Sequence, residues 1–180
     1  MDGALLSTLF RAPMAKLVAS FEACVPYSFL AVYDADLERP FNDWTERHCH
    51  QGFSWREGSV SFVTLASLGI KGEVWLAEEV QLLPQTQRAI QVPFTVPPSG
   101  RVGIDDEIVP IPPGLYLLVF ENGLRDDIED QQKGLGDTWC RLSFMPSTSP
   151  LPRILRETSG VAEGGDLEPQ YPLLMTANPA

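Results

Sequence analysis

Short segments of alternating apolar and polar residues, separated by turn residues, constrain the fold of this chain more than any other feature. In the first segment Leu17, Ala19, Phe21 and Ala23 share one face. Such alternation is typical of a half-buried strand. Sixteen prolines and 14 glycines make the chain rich in turns, which favours many short strands over long helices. About eight such segments predict an all-β protein, an antiparallel β-sandwich with one short helix and an irregular C-terminal tail.

Four segments carry more specific expectations. Residues 27–33 form a second apolar run, which could make a hairpin with the first strand. Residues 115–120 are apolar on both faces and predict a central strand. Residues 101–111 predict a strand pair around an acidic turn. Pro93 removes a backbone donor from its strand, so we expect it at a sheet edge or a bulge.

The one predicted helix lies between Asp43 and Gly52. Asp43 and Glu46 have the spacing of a capping box, and Gly52 is a suitable C-terminal stop. A helix of about two turns depends on packing more than on intrinsic propensity. Trp44, Phe53 and Trp55 stand among the charges of this region, where Phe53 and Trp55 are expected to anchor the strand edge to the core.

The length of 180 residues suggests one domain with a core that needs no disulfides. We predict an N-terminal extension over residues 1–16, the β-sandwich over 17–145 and a loosely ordered C-terminal extension over 146–180. The apolar residues near the N-terminus are interrupted by Pro13 and by charges, so they are too few to span a membrane. Three widely spaced cysteines without a CxxC motif fit a reducing compartment, and we expect a cytoplasmic protein.

The chain is strongly acidic. Thirteen basic and 24 acidic residues give a net charge of −11 and a pI near 4.5. A field of this sign repels phosphate backbones and anionic lipids, so we expect no direct binding to nucleic acid or membrane. The charge serves solubility in the simplest interpretation. In the more specific one it attracts a basic partner, such as a protein that itself binds nucleic acid.

The triplet His48, Cys49 and His50 offers the first candidate chemistry. Neighbouring residues of a helix point about 100° apart, so the triplet cannot chelate one metal ion from one face. In a strand the two histidines would share a face, but zinc would still lack two ligands. Cys49 beside histidines could be an activated thiol, yet no orienting third group or oxyanion motif can be identified. We therefore predict no cofactor, no metal and no enzymatic activity.

Three acidic clusters occur in predicted loops. They comprise Asp34, Asp36 and Glu38; then Asp105, Asp106 and Glu107; and then Asp126, Asp127, Glu129 and Asp130. Loops of this kind can bind calcium, although the spacing matches no EF-hand. They can also be ordinary solvated loops. A third possibility is an electrostatic face whose carboxylates take the place of phosphates against a basic partner.

The run over residues 31–65 resembles the ComJ family of competence-associated proteins. The resemblance is carried by Trp44-Thr45 and by Gln51-Gly52-Phe53-Ser54-Trp55, and it continues through residues 88–94 and 112–116. It covers most of residues 17–145 and leaves 1–16 and 146–180 as additions. It implies a non-catalytic protein that binds and silences a nuclease. With these additions, the same scaffold could serve as an immunity protein against a nuclease toxin.

Together these observations lead to the hypothesis of an inhibitor or immunity protein that occludes the basic active-site groove of a nuclease. Trp44 is the candidate hot spot, since tryptophan is enriched at such positions. The predicted partner-binding residues are Trp44, Glu46, Trp55, Asp34, Asp36, Asp105, Asp106, Glu107, Asp126 and Asp127. A calcium-dependent β-sandwich binding module is the alternative, and a small hydrolase that uses Cys49 is a second one.

Overall fold

Two β-sheets enclose one hydrophobic core in this protein. The computed structural model describes residues 14–25, 27–65, 67–125, 138–157, 167–169 and 172–180. In chain order its elements are β1 Ala15–Val25, β2 Phe29–Asp34, α1 Glu46–Gln51, β3 Phe53–Arg56, β4 Ser59–Val63, β5 Leu68–Ala77, β6 Arg88–Val96, β7 Arg101–Ile104, β8 Glu107–Pro110, β9 Gly114–Leu124, β10 Thr138–Pro146 and β11 Arg153–Arg156. Among the described residues, no helix has the length and hydropathy needed to cross a membrane.

The strands are arranged in two sheets of mainly antiparallel neighbours. Sheet A has six strands in the order β1-β5-β10-β9-β6-β11, and sheet B has five in the order β3-β4-β2-β7-β8. Strands β5 and β10 are parallel, whereas the other neighbours are antiparallel. The predicted all-β sandwich with one short helix is confirmed. The expected central strand is also confirmed, because β9 lies between β10 and β6.

Strand alternation sends apolar side chains from both sheets into the same core. Leu30 and Val32 of β2 are fully buried, and so are Phe62 of β4 and Phe120 of β9. The rings of Phe62 and Phe120 stack between the sheets with centroids 4.6 Å apart. Burial of each such side chain contributes about 1.5–3 kcal/mol to folding. Because side chains alternate along a strand, the remaining side chains of these strands point away from the core and can make other contacts.

The predicted hairpin between the first two strands is wrong. Strand β1 pairs with β5 in sheet A, whereas β2 pairs with β4 and β7 in sheet B. The chain thus passes from sheet A to sheet B between β1 and β2. The two strands bury their apolar faces against the core from opposite sides, so they do not pair with each other. The hairpin predicted over residues 101–111 is present, with β7 and β8 joined at Asp105 and Asp106.

Pro93 lies at an open sheet edge, as predicted. Strand β6 pairs with β9 along its whole length, but β11 pairs only with Ala89, Ile90 and Gln91. Pro93 therefore follows the part of β6 that β11 covers. Its missing N–H costs no ladder bond on that side.

The helix ends as predicted but begins two residues later than the sequence suggested. Thr45 is the N-cap, and its side chain accepts from the N–H of His48 while the His48 ring accepts from the N–H of Thr45. An imidazole nitrogen thus takes the place of the carboxylate in a capping box. Asp43 was the expected cap, but its carboxylate is bonded to the C-terminal segment. Gly52 ends the helix at φ 81°, in the left-handed region that glycine adopts readily.

The described part of residues 147–180 is irregular outside β11, as expected, and several of its residues contact the rest of the domain. Leu167 is 5% exposed and packs on Gly52. The N–H of Glu168 donates to the carbonyl of His50 at 2.7 Å. Residues 172–180 then run along α1. At the other end of the chain β1 already begins at Ala15, and residues 1–13 of the predicted extension lie outside the described residues.

Candidate partner-binding surface

A crossing segment, residues 40–44, lies against the outer face of sheet B. Its middle residue Asn42 is buried and donates to the carbonyl oxygens of Ser54 at 2.9 Å and Ser59 at 3.2 Å. The Asn42 side-chain oxygen accepts from Arg56 Nε at 2.8 Å. One buried amide therefore joins the crossing segment to both β3 and β4, and it fixes the residues on either side of it.

Two pairs of aromatic rings lie on this face, and we call the four rings together the aromatic patch. Phe29 and Tyr33 alternate with the core residues of β2, so they point outward. The Trp44 ring stacks on Phe29 with centroids 4.1 Å apart and planes 12° apart. Phe41 meets Tyr33 edge to face at 5.7 Å. Phe41 is 48% exposed, and the other three are partly exposed, so the aromatic patch presents apolar surface to solvent.

Tyr33 connects the aromatic patch to the acidic turn between β7 and β8. Its ring lies across Gly103, where an added Cβ atom would come within 2.2 Å of the ring. Only glycine leaves room for this contact. The Tyr33 hydroxyl donates to the backbone carbonyl of Asp105 at 2.6 Å. The ring contact with Gly103 and the hydroxyl hydrogen bond to Asp105 together fix the position of the Tyr33 side chain.

The acidic turn places two exposed carboxylates, Asp106 and Glu107, beside the aromatic patch. Asp105 differs from them, because its backbone has φ 48° and its Oδ1 accepts from the N–H of Ala31 at 3.4 Å. Burial raises the pKa of Asp105, and the Asp106 carboxylate adds to this shift. Asp105 therefore shapes the turn, while the carboxylates of Asp106 and Glu107 remain exposed at the surface.

The other described acidic loop lies at the opposite end of β7. Asp34 pairs with Val102 in the sheet, whereas the N–H of Asp105 bonds to Ala31. Asp36 is already paired with Arg101 at 2.9 Å. Within the described ranges, no group of three His, Cys, Asp or Glu residues is placed so that it could hold a metal ion. The third cluster, with Asp126 and Asp127, lies outside the described residues.

The remaining two predicted residues have different surroundings. Glu46 is exposed in the first turn of α1, two residues after Trp44, where it can contribute to the same surface. Trp55 packs against the core, and its Nε1 donates to the carbonyl of Pro93 at 2.7 Å. That bond joins sheet B to sheet A, so Trp55 acts as an anchor between the sheets. Phe53 is fully buried, as expected for a core residue.

Within the triplet of residues 48–50, His48 is buried whereas Cys49 lies at the surface. His48 is 2% exposed, and its Nε2 donates to the carbonyl of Thr176 at 3.0 Å, which leaves Nδ1 to accept from Thr45. Cys49 is at the surface, but partial burial of its thiol raises the pKa, and nearby Glu46 raises it further. An activated nucleophile requires the opposite shift.

The sequence singles out Trp44 as a candidate binding residue, but it does not single out the neighbours that the structure places around it, which are Phe29, Tyr33, Phe41 and Asn42. These residues come from β2 and from the crossing segment, and only the fold brings them together. One signal was present. The outward positions of β2 carry Phe29 and Tyr33, although an outward face is ordinarily polar.

The fold has counterparts among solved structures. The crystal structure of ComJ from Bacillus subtilis, the inhibitor of the DNA-degrading activity of NucA, is similar with a TM-score of 0.60 and 18% identity. The similarity covers 74% of this chain and 99% of that one. A second structure, that of crocagin biosynthetic gene J, has a TM-score of 0.46 with 15% identity over 76% of this chain and 99% of that one. At 18% identity, the likeness to the ComJ structure concerns the fold.

Sequence comparison gives the family. No curated protein is significantly similar to this chain in sequence. The sequence model of the family Competence protein J (ComJ) matches residues 22–145, which include β2, the crossing segment, α1 and the acidic turn. The match spans well over half of the chain. This protein therefore belongs to the ComJ family.

Proposed function

We propose that this protein is a non-catalytic inhibitor, or an immunity protein, that binds a nuclease and occludes its basic active-site groove. The observation that carries this proposal is the aromatic patch beside exposed carboxylates in a chain of the ComJ family. The solved ComJ structure from Bacillus subtilis is that of an inhibitor of the DNA-degrading activity of NucA. Its fold is shared by this chain.

Electrostatic attraction provides the first step of binding. Nucleases hold phosphate backbones in cationic grooves, and a domain with a net charge of −11 is drawn to such a groove. Asp106 and Glu107 then lie where phosphates would lie. Complementary charge of this kind acts mainly on the association rate and weakens with salt.

The aromatic patch provides the affinity. Aromatic anchors in a desolvated pocket dominate the energy of most interfaces. Trp44 and Phe41 are suited to this role because they present ring surface while their positions are held by neighbouring residues. The bonds of Asn42 keep the crossing segment in place before the partner arrives, so less conformational entropy is lost on binding.

The target in this proposal is a basic nuclease or nuclease toxin of the same cell. We propose that the inhibitor acts in the cytoplasm, where Cys24, Cys49 and Cys140 stay reduced. All three are free thiols in the structure.

The test is affinity capture of the tagged full-length chain from its own host, followed by nuclease assays of the captured partner. We expect a stoichiometric basic protein that degrades DNA or RNA only after separation from this chain. Trp44→Ala should capture less of it, whereas Trp75→Ala on the outer face of sheet A should capture as much as the unchanged chain. Capture of no nuclease, or of one that stays fully active in the complex, would contradict the proposal.

A further inference from the structure

The C-terminal residues 172–180 are bound to the domain by buried polar side chains. Gln51 is fully buried, and its Nε2 donates to the carbonyl of Leu174 at 3.0 Å while its Oε1 accepts from the Leu174 N–H at 2.8 Å. Leu173 and Met175 pack against the core on either side. With the His48 bond to Thr176, these contacts hold the segment against α1.

The last residues of this segment pair directly with the crossing segment. Asn178 donates to both carboxylate oxygens of Asp43, from its backbone N–H at 3.0 Å and from its side-chain amide at 3.1 Å. The Asp43 N–H returns a bond to the Asn178 carbonyl at 2.9 Å. Asn42 and Pro179 form an antiparallel bridge, and the N–H of Ala180 donates to the carbonyl of Phe41 at 2.9 Å.

The crossing segment is therefore held from two sides. Asn42 ties it to sheet B, and residues 178–180 lie along its other side. Asp43 stands directly between Asn42 and Trp44, so its bonds to Asn178 act next to the aromatic patch. Residues 172–180 lie outside the part of the chain that the ComJ family model matches. The contacts of residues 178–180 with the crossing segment therefore come from outside the part of the chain that the family model matches.

We propose that Asp43 and Asn178 form a positioning pair, which holds Phe41 and Trp44 in the arrangement that the partner recognises. This inference rests on the proposed function for its effect on binding, but not for its effect on the crossing segment. Two of the three bonds of the pair end on a carboxylate, and such bonds are stronger than neutral ones. Loss of the pair lets the crossing segment move, and binding must then restore its order.

The test uses the full-length chain with one disrupting variant, one rescue and one charge-matched control. Asn178→Asp places two carboxylates against each other and breaks the pair. Adding Asp43→Asn to that variant restores a donor opposite a carboxylate and returns the net charge to its original value. Thr176→Asp adds the same charge two residues earlier, at an exposed side chain whose residue contacts His48 through its backbone oxygen.

The first readout is amide hydrogen exchange of residues 41–45, which needs no partner. We expect faster exchange in Asn178→Asp, because repulsion between the two carboxylates moves the backbone carbonyl of residue 178 away from the Asp43 N–H. In the rescue and the control we expect near-normal exchange. The second readout is the Kd for the captured nuclease, which we expect to rise roughly tenfold in Asn178→Asp and to recover in the double variant.

Each outcome bears on a different claim. Unchanged exchange in Asn178→Asp would overturn the positioning pair, whatever the partner is. Faster exchange with an unchanged Kd would show that the pair orders the crossing segment but does not position the aromatic patch for binding, which also overturns the inference. If no nuclease binds the unchanged chain, the proposed function fails, and the exchange data alone still decide whether the pair holds the crossing segment.

Discussion

The indole ring of Trp44 lies nearly parallel to the phenyl ring of Phe29, with centroids 4.1 Å apart and planes 12° apart. Trp44 belongs to the crossing segment and Phe29 to β2, so the stack joins a loop to the sheet beneath it. One face of the indole is covered by this contact. The remaining surface of Trp44 is held in a fixed place, as a binding anchor requires.

The first prediction concerns that anchor. Trp44→Ala should weaken partner binding by about 2 kcal/mol or more, since truncation of a central aromatic anchor removes contacts that bring most of the binding energy. The melting temperature should change little, because Trp44 is only partly buried and Phe62 and Phe120 maintain the core. Calorimetric titration and thermal unfolding of the same samples measure both effects.

The matched control for that variant is Trp75→Ala. Trp75 is also partly buried, and its Nε1 donates to Glu73, but it lies on the outer face of sheet A. The variant Trp75→Ala should leave the Kd for the nuclease unchanged. An equal loss of affinity in both variants would mean that the aromatic patch is not the binding surface.

The second prediction concerns the acidic turn. Asp106→Asn should lower the association rate constant for the nuclease several-fold at low salt, and the difference should shrink as salt screens the exposed charge. The dissociation rate should change less. Stopped-flow or surface-binding kinetics at two ionic strengths separate the two rates. The control is Glu79→Gln, at a residue near Trp75 on the outer face of sheet A. If Glu79→Gln slows association equally, the slowing in Asp106→Asn comes from net charge alone.

The third prediction is a pH dependence of stability. Burial raises the pKa of Asp105 above its ordinary value of 3.8, so the folded state binds a proton where the unfolded state releases it. Its contribution to stability is therefore greatest below pH 3.8 and is lost as the pH rises through the raised pKa.

Asp105→Asn removes that titration while it keeps an acceptor for Ala31 and a residue that tolerates φ 48°. The melting temperature of the variant relative to the unchanged chain should increase from pH 3 to pH 7. A constant difference over this range would show that burial of the Asp105 charge does not limit stability.

The fourth prediction compares a buried ion pair with an exposed one. Glu121 is fully buried, with its Oε2 bound to Arg141 Nε at 2.6 Å and its Oε1 to Thr86 and the Leu83 N–H. Arg141→Met should destabilise the fold by about 3–5 kcal/mol, because it leaves a buried carboxylate without its cation. Denaturant unfolding measures the change.

Arg101 supplies the comparison. Its pair with Asp36 is about half exposed on both sides, so Arg101→Met should cost no more than about 1 kcal/mol. If Arg141→Met and Arg101→Met lower the free energy of unfolding equally, burial does not determine how much each ion pair contributes to stability.

Much of the strand content could be predicted from local pattern, whereas the pairing could not. The alternation of apolar and polar residues in 88–96 and 138–144 matches the buried positions of β6 and β10. The pairing of β1 with β5 joins segments about 50 residues apart in the chain. Such pairings depend on which faces share the core, and no local pattern contains that information.

The same distinction explains the candidate site. Trp44 was recognisable because a tryptophan among charges is unusual at a helix start. Phe41 and Phe29 look like ordinary loop and strand residues until the crossing segment is placed on sheet B. The spacing of Asp43 to Glu46 predicts an N-cap at Asp43, whereas in the structure Thr45 is the N-cap and the His48 ring accepts from its N–H.

The most direct test of the central claim is a titration of the purified partner nuclease with this protein, with degradation of nucleic acid as the readout. We expect complete inhibition at a fixed stoichiometry, weaker inhibition at high salt, and a shifted curve for Trp44→Ala but not for Trp75→Ala. Undiminished nuclease activity at a large excess of the unchanged protein would mean that it is not an inhibitor of this nuclease.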